Sequence, residues 1–375
     1  MNDEGLYVGR EQTLLKHFIL RKYLERFAHI IGSRWDSITY VDCFSGPWNV
    51  RSPEFRDSSF AIALEELRKA RQTHRQRGRD VTLRCFFLEK HPEAYARLRE
   101  FADQVEDVEV RTRNLELESA IGDILDFVRA GGRTFPFIFI DPTGWKGLDL
   151  ALIRPLLQLD PGEVLINYMT DFRRRFEAKE AVARMQEQGL SVQDREDALF
   201  TDYAEEVRRA GRFRYTCAAF ILYPDLERSY FHLIYATRHR KGVEVFKDVE
   251  KKALPVMEGT RADAQRRQRE RKSSQQELFA SDVLYRSSRV ESLRDRYCES
   301  TRGQVEQMLR LRGSIDYDEV WDTALAAPLV WESDLKGWIG EWSKSGQLQV
   351  DGMIGGQRVP KLGVGNKLCW RPARS

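Results

Sequence analysis

The chain has 375 residues, of which 42% are hydrophobic and 32% charged, and its formal net charge is +3 at pH 7. At about 150 residues per domain, this length predicts two or three folded units. The composition excludes a chain that is disordered throughout. The small net charge excludes a protein that coats nucleic acid by its overall charge, so any such binding must come from local patches.

The sequence contains none of the usual signals for a membrane or an oxidising compartment. No apolar run reaches the roughly 20 residues of a transmembrane helix, and residues 1–10 lack the pattern of a signal peptide. We therefore expect a cytoplasmic protein with buried thiols, no metal site and no membrane contact. The five cysteines are scattered and include no C-x-x-C pair: Cys43, Cys85, Cys217, Cys298 and Cys369.

Strand and helix patterns alternate through the first part of the chain. Residues 13–31 place apolar side chains at helical spacing and predict an amphipathic helix before the first strand. The apolar run 135–140 is typical of a central parallel strand buried on both faces. The alternation predicts an α/β, Rossmann-like, doubly wound sheet, closed by an antiparallel pair over 214–222 and 230–237. Further strands are predicted over 38–44, 81–88, 108–111 and 163–168, and helices over 58–71, 92–101, 117–130 and 150–159.

The domain organisation follows from shifts in composition. Residues 261–272 are basic and nearly devoid of large apolar side chains, which indicates a linker or an exposed helix. The predicted segments are a Rossmann-like domain over 1–257 with a helical insertion at about 172–212, a basic linker or helical segment over 258–312, and a winged-helix-like domain over 313–375.

The tail has the element order of a winged helix. Helices are predicted over 317–327 and 332–345, followed by a β-ribbon formed by 347–350 and 367–370. A winged helix commonly places its second helix in the major groove of nucleic acid. Here that helix carries Lys336 and Lys344 as candidate contacts, while its tryptophans Trp338 and Trp342 could equally be core residues.

The end of the first strand is the first candidate ligand site, because ligands of doubly wound sheets bind outside the carboxyl ends of the strands. The loop reads Asp42-Cys43-Phe44-Ser45-Gly46-Pro47. Asp42 can accept a hydrogen bond from an amine, and Gly46 lets the backbone approach a ligand closely. Taken alone, the loop is about as consistent with a simple turn as with a cofactor-binding site. We include Phe44 and Ser45 in the predicted cofactor set.

The second strand end carries Glu89, whose carboxylate can accept two adjacent hydrogen bonds from the ribose hydroxyls of a nucleoside cofactor. The alternative is a solvated carboxylate paired with Lys90. Asn114, after the third strand, completes the predicted cofactor set.

The third strand end is Asp141-Pro142-Thr143-Gly144-Trp145. Asp141 and the backbone around Pro142 can accept hydrogen bonds from a substrate amine, and Trp145 can stack on a base. The alternative for Trp145 is a side chain that only covers the end of the sheet. We predict Asp141, Pro142 and Trp145 as the catalytic set.

Several motifs in order resemble one family. YVDCFSGPW at 40–48, FFLEK at 86–90, FIFIDPTGWKGL at 137–148 and VLINYMTDFRRR at 164–175 are similar to the three-Cys-motif partner family, a methyltransferase-like group, and HLIYATRHRKGVEVFKDV at 232–249 extends the resemblance to about 14–257. The resemblance implies a methyltransferase fold, an S-adenosylmethionine pocket near Asp42, Gly46 and Glu89, a substrate side near Asp141, and a partner protein with a three-cysteine motif. The first loop departs from the family pattern, with Trp48 where a second glycine is usual.

Basic clusters are the candidate contacts to phosphates, although charge runs are more often solvated faces. They comprise Arg173, Arg174 and Arg175; Arg238, Arg240 and Lys241; and Arg266 and Arg267 within 261–272.

The leading hypothesis is an S-adenosylmethionine-dependent methyltransferase acting on DNA or RNA with a three-cysteine-motif partner. The alternative is a noncatalytic Rossmann-fold subunit that binds nucleic acid in a two-protein modification, repair or defence system. A nicotinamide-dependent oxidoreductase ranks low, because the first loop does not supply a G-x-G-x-x-G turn.

Overall fold

The computed structural model describes residues 3–47, 49–142, 149–169, 189, 191–226, 228–273 and 288–371. They divide into two compact units, one within 1–216 and 220–285 and the other within 217–219 and 286–375. No helix in these described parts is both long and apolar enough to cross a membrane.

A seven-stranded sheet forms the centre of the first unit. The strands are β1 (Ser37–Asp42), β2 (Thr82–Leu88), β3 (Glu109–Arg113), β4 (Thr134–Ile140), β5 (Glu163–Tyr168), β6 (Tyr215–Leu222) and β7 (Ser229–Thr237). Their order is β3-β2-β1-β4-β5-β7-β6. Strands β1 to β5 pair in parallel, whereas β7 runs antiparallel to β5. The predicted Rossmann-like, methyltransferase-type α/β sheet is confirmed.

The helices of this unit begin where the sequence supplies caps. Ser58 accepts a hydrogen bond from the Ala61 N–H at 3.3 Å, and Asp149 accepts one from the Ala151 N–H at 2.8 Å. The described helices are α1 (Glu11–Gly32), α2 (Ser59–Gln76), α3 (Pro92–Asp103), α4 (Leu117–Arg129), α5 (Leu150–Leu157), α6 (Val192–Ala210) and α7 (Arg240–Ser273).

The core lies on both faces of the sheet. Every residue of β1, β4 and β5 is buried, as predicted for central parallel strands. Helix α1 packs against α2 and α7, so the helix before the first strand covers part of one face. The polar N-terminal turns of α1 are thereby fixed beside the carboxyl ends of the strands.

One carboxylate, Glu163 at the start of β5, is buried in this core and is satisfied by hydroxyl groups. Tyr23 donates to Glu163 Oε2 at 2.6 Å, and Thr237 donates to Glu163 Oε1 at 2.8 Å. The hydroxyl of Tyr235 lies 2.5 Å from that of Tyr23. Burial raises the pKa of Glu163 above its ordinary value. The backbone of Gly242, on α7, passes close to this cluster.

The basic segment 261–272 is helical and belongs to α7, which continues without a break to Ser273. Arg261 is only 1% exposed, because its guanidinium donates to the carbonyl oxygens of Tyr223 and Leu226. The sequence predicts a linker or an exposed helix here. The segment is helical, as one of these alternatives has it, and its two buried residues are Arg261 and Ala262.

The second unit contains three described helices and a small sheet. The elements are α8 (Ser288–Arg312), β8 (Ser314–Asp316), α9 (Tyr317–Ala326), α10 (Glu332–Lys344), β9 (Leu348–Asp351) and β10 (Lys367–Trp370). Strand β10 lies between β8 and β9 and is antiparallel to both. The two predicted helices and the ribbon are present, and β8 adds a strand that is too short to show an alternating pattern. Trp338 and Trp342 are core residues of this unit.

Candidate functional site

Sheet register brings the three predicted strand ends together. Asp42, at the end of β1, pairs with Phe87 of β2 and with Phe139 of β4. Glu89 and Asp141 each follow their partner by two residues, so they flank the loop after β1. The carboxyl ends of β2, β1 and β4 therefore form one continuous edge.

A cavity of about 340 Å³ lies along this edge. Phe44 and Gly46 line it from the loop after β1, Glu89 from the end of β2, and Asp141 and Pro142 from the end of β4. The N-terminal turns of α1 and α2 complete its wall, together with residues 115–118. Trp48, Thr143, Gly144 and Trp145 lie outside the described residues.

Asp42 holds the loop after β1 and does not line the cavity. Its carboxylate is fully buried and accepts hydrogen bonds from the Phe44 N–H at 3.1 Å and from the Ser59 hydroxyl at 2.5 Å. Burial raises the pKa of Asp42 to about 6. The prediction that Asp42 accepts a hydrogen bond from the cofactor is therefore corrected. Its oxygens accept hydrogen bonds from the protein's own loop and from the start of α2.

Ser45 is likewise turned into the protein. It is 1% exposed, its hydroxyl donates to the Asp42 carbonyl at 2.9 Å, and its N–H donates to the Leu88 carbonyl at 2.8 Å. Of the predicted loop residues, Phe44 and Gly46 are the ones that face the cavity.

Glu89 is a cavity residue and is only 5% exposed. Its Oε1 accepts a hydrogen bond from the His91 N–H at 2.7 Å, which fixes the carboxylate at the wall. The alternative ion pair with Lys90 is absent among the described contacts, since Lys90 lies 3.6 Å from Glu116. Asn114 does not line the cavity; its amide donates to the Glu89 carbonyl at 2.8 Å and holds the end of β2 in place.

Asp141 is engaged by two side chains from distant parts of the chain. The Asn167 amide, from β5, donates to Asp141 Oδ1 at 2.6 Å, and the Lys16 ammonium, from α1, donates to Oδ2. Lys16 also lies 5.9 Å from the centre of the Phe231 ring. Asn167 is 4% exposed and its own Oδ1 has no hydrogen-bond partner in the described structure. A substrate amine at Asp141 would therefore meet a carboxylate already shared by a cation and an amide.

Helix α1 contributes site residues that sequence reasoning missed. Lys16 and His17 both line the cavity, and the Tyr7 hydroxyl lies 3.0 Å from His17 Nδ1. Burial, and then the neighbouring Lys16, lower the pKa of His17 well below its ordinary value. The pattern of 13–31 revealed the apolar face of this helix, but it gave no sign that the first polar turn points towards the strand ends.

A second contact from the start of α1 fixes the rim of the cavity. Arg10 donates to Asp57 at 2.6 Å, and Asp57 also accepts the N–H groups of Arg51 and Ser52 at 2.9 and 3.0 Å. The loop between β1 and α2 is thus held by one carboxylate that binds both its backbone and α1.

Arg238 is predicted to bind phosphate, but its guanidinium donates hydrogen bonds to backbone carbonyl groups inside the first unit. Its guanidinium lies 4.5 Å from the centre of the Phe213 ring, and burial lowers the pKa of Arg238. Because the guanidinium N–H groups of Arg238 donate to the protein backbone, they are not available to bind a phosphate. The accepting carbonyls are those of Leu157, Leu159, Gly162 and Gly211, at 3.3, 3.0, 3.2 and 2.6 Å.

Four of the other predicted phosphate contacts have acidic neighbours. Lys241 lies 2.6 Å from Glu244, Lys336 lies 2.9 Å from Glu332, and Arg267 pairs with Glu11. Arg266 lies 3.7 Å from Asp263 and 4.0 Å from Glu270. Arg240 is the first residue of α7. The last members of the predicted set, Arg173, Arg174 and Arg175, lie outside the described residues.

Comparisons with known proteins add likenesses of fold. No family model matches the chain, and no curated protein matches it. A Legionella pneumophila str. Philadelphia 1 protein of family DUF519 has a TM-score of 0.40 and 13% identity, covering 64% of this chain and 91% of its own. A candidate methyltransferase from Thermobifida fusca YX has a TM-score of 0.32 and 13% identity, with coverages of 59% and 81%.

The structure of a loganic acid methyltransferase with SAH has a TM-score of 0.30 and 8% identity, covering 71% of this chain and 91% of its own. At such identities and scores, these likenesses assign neither an activity nor a ligand to this chain. The sheet order and pairing themselves establish the methyltransferase-type fold.

Proposed function

We propose that the protein is an S-adenosylmethionine-dependent methyltransferase that acts on an amino group of a nucleic acid. One observation carries the proposal: three parallel strands end at a single cavity that has a fixed carboxylate, Glu89, in its wall. Crevices at the carboxyl ends of doubly wound sheets are where such folds bind nucleotide-like ligands.

The cavity fits the cofactor in size and in chemistry. Its volume of about 340 Å³ falls within the range of small-molecule sites, which is roughly 300–1,000 Å³. Glu89 would accept the ribose hydroxyls, and the backbone at Phe44 and Gly46 would contact the rest of the nucleoside. When bound, S-adenosylmethionine would supply a methyl group already activated by a sulfonium.

The protein's task in such a transfer is to position the acceptor, because an oriented nucleophile about 3–3.5 Å from the methyl carbon gains much of its rate by proximity. Asp141 and Pro142 would hold the amine, and Trp145 would stack on its base. The amine held there would accept the methyl group as it leaves the sulfonium sulfur, and the nitrogen would then release a proton. The resemblance to three-Cys-motif partner proteins adds a partner protein to this proposal.

Calorimetric titration with S-adenosylmethionine and S-adenosylhomocysteine tests the cofactor site. We expect the wild-type protein to bind both. Glu89→Ala should weaken binding about ten- to hundredfold, since a hydrogen bond to a charged group contributes about 1.5–3 kcal/mol. Glu93→Ala, an exposed carboxylate that does not line the cavity, should bind like wild type. Failure of the wild type to bind either ligand, with or without nucleic acid, would overturn the proposal.

Turnover is tested separately with a cofactor labelled in its methyl group and with DNA and RNA as acceptors. We expect labelled nucleic acid from the wild type. Asp141→Asn should lose transfer while keeping cofactor affinity, because Asp141 serves the acceptor. Unchanged turnover in this variant would remove Asp141 from the mechanism.

A noncatalytic nucleic-acid-binding subunit is the second candidate function. It is favoured by the engagement of both Asp141 oxygens, one by Lys16 and one by Asn167, which leaves a substrate amine to compete with them. Cofactor binding without methyl transfer to any nucleic acid in the presence of the partner would decide for this candidate.

A further inference from the structure

In the second unit, the loop between β9 and β10 and the strand that follows it are basic, whereas helix α10 has a net negative charge. Residues 352–371 contain four basic residues and no acidic residue: Arg358, Lys361, Lys367 and Arg371. Helix α10 contains two lysines and three acidic residues. The distribution is the reverse of what a phosphate-binding helix needs.

The charges of α10 are also largely paired. Lys336 lies 2.9 Å from Glu332 on the same helix. Its other two acidic residues are paired with α8: Arg294 lies 2.7 Å from Asp334, and Arg302 lies 2.8 Å from Glu341. Lys344 is the one cation of α10 that has no ion pair among the described residues.

The loop between β9 and β10 is an ordered structure held mainly by Asn366, which is 1% exposed. The Gly363 N–H also donates to Asp318 Oδ1 at 3.0 Å. Asn366 Oδ1 accepts the Gln357 amide at 2.7 Å and the Lys361 N–H at 2.9 Å, and its own amide donates to the Gly352 carbonyl at 2.7 Å. Gln357 also accepts the Ile354 N–H at 3.1 Å. Both ends and the middle of the loop are therefore tied to a single buried amide.

Two cations stand out on this loop. Arg358 and Lys361 are exposed, and neither has an ion pair within the described part of the chain. Lys367 is set apart from them because it pairs in the sheet with Asp351 and Asp316. Since Lys361 contributes only its backbone N–H to the loop network, its ammonium group is available to a ligand.

We propose that the loop of residues 352–366 is a contact surface for the phosphate backbone of duplex nucleic acid, with Arg358 and Lys361 as its phosphate-binding residues. The inference rests on the nucleic-acid part of the proposed function and is independent of the cofactor site. An ordered loop loses little conformational entropy when it binds, so two cations on it are more effective than two on a flexible tail. This placement replaces Lys336 with the loop as the principal phosphate contact of the second unit.

The test uses the full-length protein and fluorescence anisotropy with a short DNA duplex and an RNA duplex of the same sequence, over a series of salt concentrations. The slope of log affinity against log salt changes by about 0.9 for each phosphate contact. We expect the double variant Arg358→Gln with Lys361→Gln to make the slope shallower by about 1.8 with the duplex that binds. The variants change exposed side chains, and thermal unfolding checks that the fold is kept.

The matched control removes the same charge from α10, as Lys336→Gln with Lys344→Gln, and should leave the slope nearly unchanged. Equal effects of the two double variants, or an unchanged slope in the loop variant, would overturn the inference. So would a wild type that binds neither duplex, including one that binds vesicles of anionic lipid instead. A positive cofactor titration would stand in each of these cases, so the two proposals fail independently.

Discussion

Lys16 of α1 and Asp141, the residue after β4, form an ion pair at the edge of the cavity, joining residues 125 positions apart in the chain. The two side chains are 13% and 16% exposed. The pair links the helix that precedes the sheet to the strand end at which the acceptor amine is expected. Asn167 holds the other oxygen, so the carboxylate is fixed in position before any ligand arrives.

A double-mutant cycle should show that this pair is coupled. We expect Lys16→Met and Asp141→Asn to give a coupling free energy of about 1–3 kcal/mol in urea unfolding, because the pair is mostly shielded from water. The exposed pair Lys22–Glu25, at 2.9 Å, is the control and should give about 0.5 kcal/mol or less. Additive effects of the two substitutions would show that the pair contributes nothing to stability.

Asp42 should make the stability of the protein depend on pH. Its pKa is about 6 in the folded state, above the value of about 3.9 in an unfolded chain, so the folded state binds the proton more tightly. The resulting stabilisation is present in acid and is lost as the pH rises through 6.

We expect the free energy of unfolding of the wild type, relative to Asp42→Asn, to fall by about 1–1.5 kcal/mol between pH 5 and pH 7.5. Urea unfolding of both proteins at the two pH values measures this difference. The contributions of the other titrating groups largely cancel, because both proteins contain them. A difference that does not change with pH, or that grows as the pH rises, would contradict the raised pKa.

Arg238 should act on stability and not on nucleic-acid binding. Arg238→Met leaves four carbonyl oxygens without their donor, and we expect a loss of roughly 2–4 kcal/mol in unfolding free energy. Lys241→Met, which removes an exposed cation three residues away, should cost about 0.5 kcal/mol or less. If Arg238→Met instead altered the salt dependence of duplex binding at unchanged stability, the role assigned to Arg238 would be wrong.

Two glycines of α7 should respond in opposite directions to alanine. A Cβ at Gly242 would lie 2.1 Å from the Tyr235 hydroxyl oxygen and 2.8 Å from Glu163 Oε1, whereas a Cβ at Gly259 meets nothing within 4 Å. Gly242→Ala should therefore destabilise the protein by about 1–3 kcal/mol through overpacking. Gly259→Ala should stabilise it by up to about 1 kcal/mol, because alanine is the better helix former. Thermal or urea unfolding of both variants decides, and a tolerated Gly242→Ala would contradict the close packing at Glu163.

The fold was accessible from the sequence because its signals are local. The apolar run over β4 and the alternation of strands and helices predict a parallel sheet, and parallel register then brings Glu89 and Asp141 to the same edge. The position of the cavity follows from those strand ends, and the sequence predicted it.

The roles of individual polar residues were not accessible, because they depend on contacts between distant segments. Asp42 reads as a ligand residue at a strand end, but the hydroxyl of Ser59 from α2 and the loop backbone occupy its oxygens. Lys16 reads as a solvated position on an amphipathic helix, but it pairs with Asp141. Arg238 and Arg261 read as surface charge, whereas carbonyl groups from other segments accept hydrogen bonds from their guanidinium groups.

Helix α7 combines two different environments in one continuous segment. At 1.5 Å per residue its 34 residues extend for about 50 Å. Its first two thirds include buried residues as far as Ala262, and beyond that point no residue of the helix is buried. Amide hydrogen exchange along this helix should therefore be graded, slow where it packs in the core and fast towards Ser273. In the outer turns, Arg267 pairs with Glu11, the chain neighbour of the cavity residue Arg10. We therefore expect occupancy of the cavity to slow exchange in the outer turns as well.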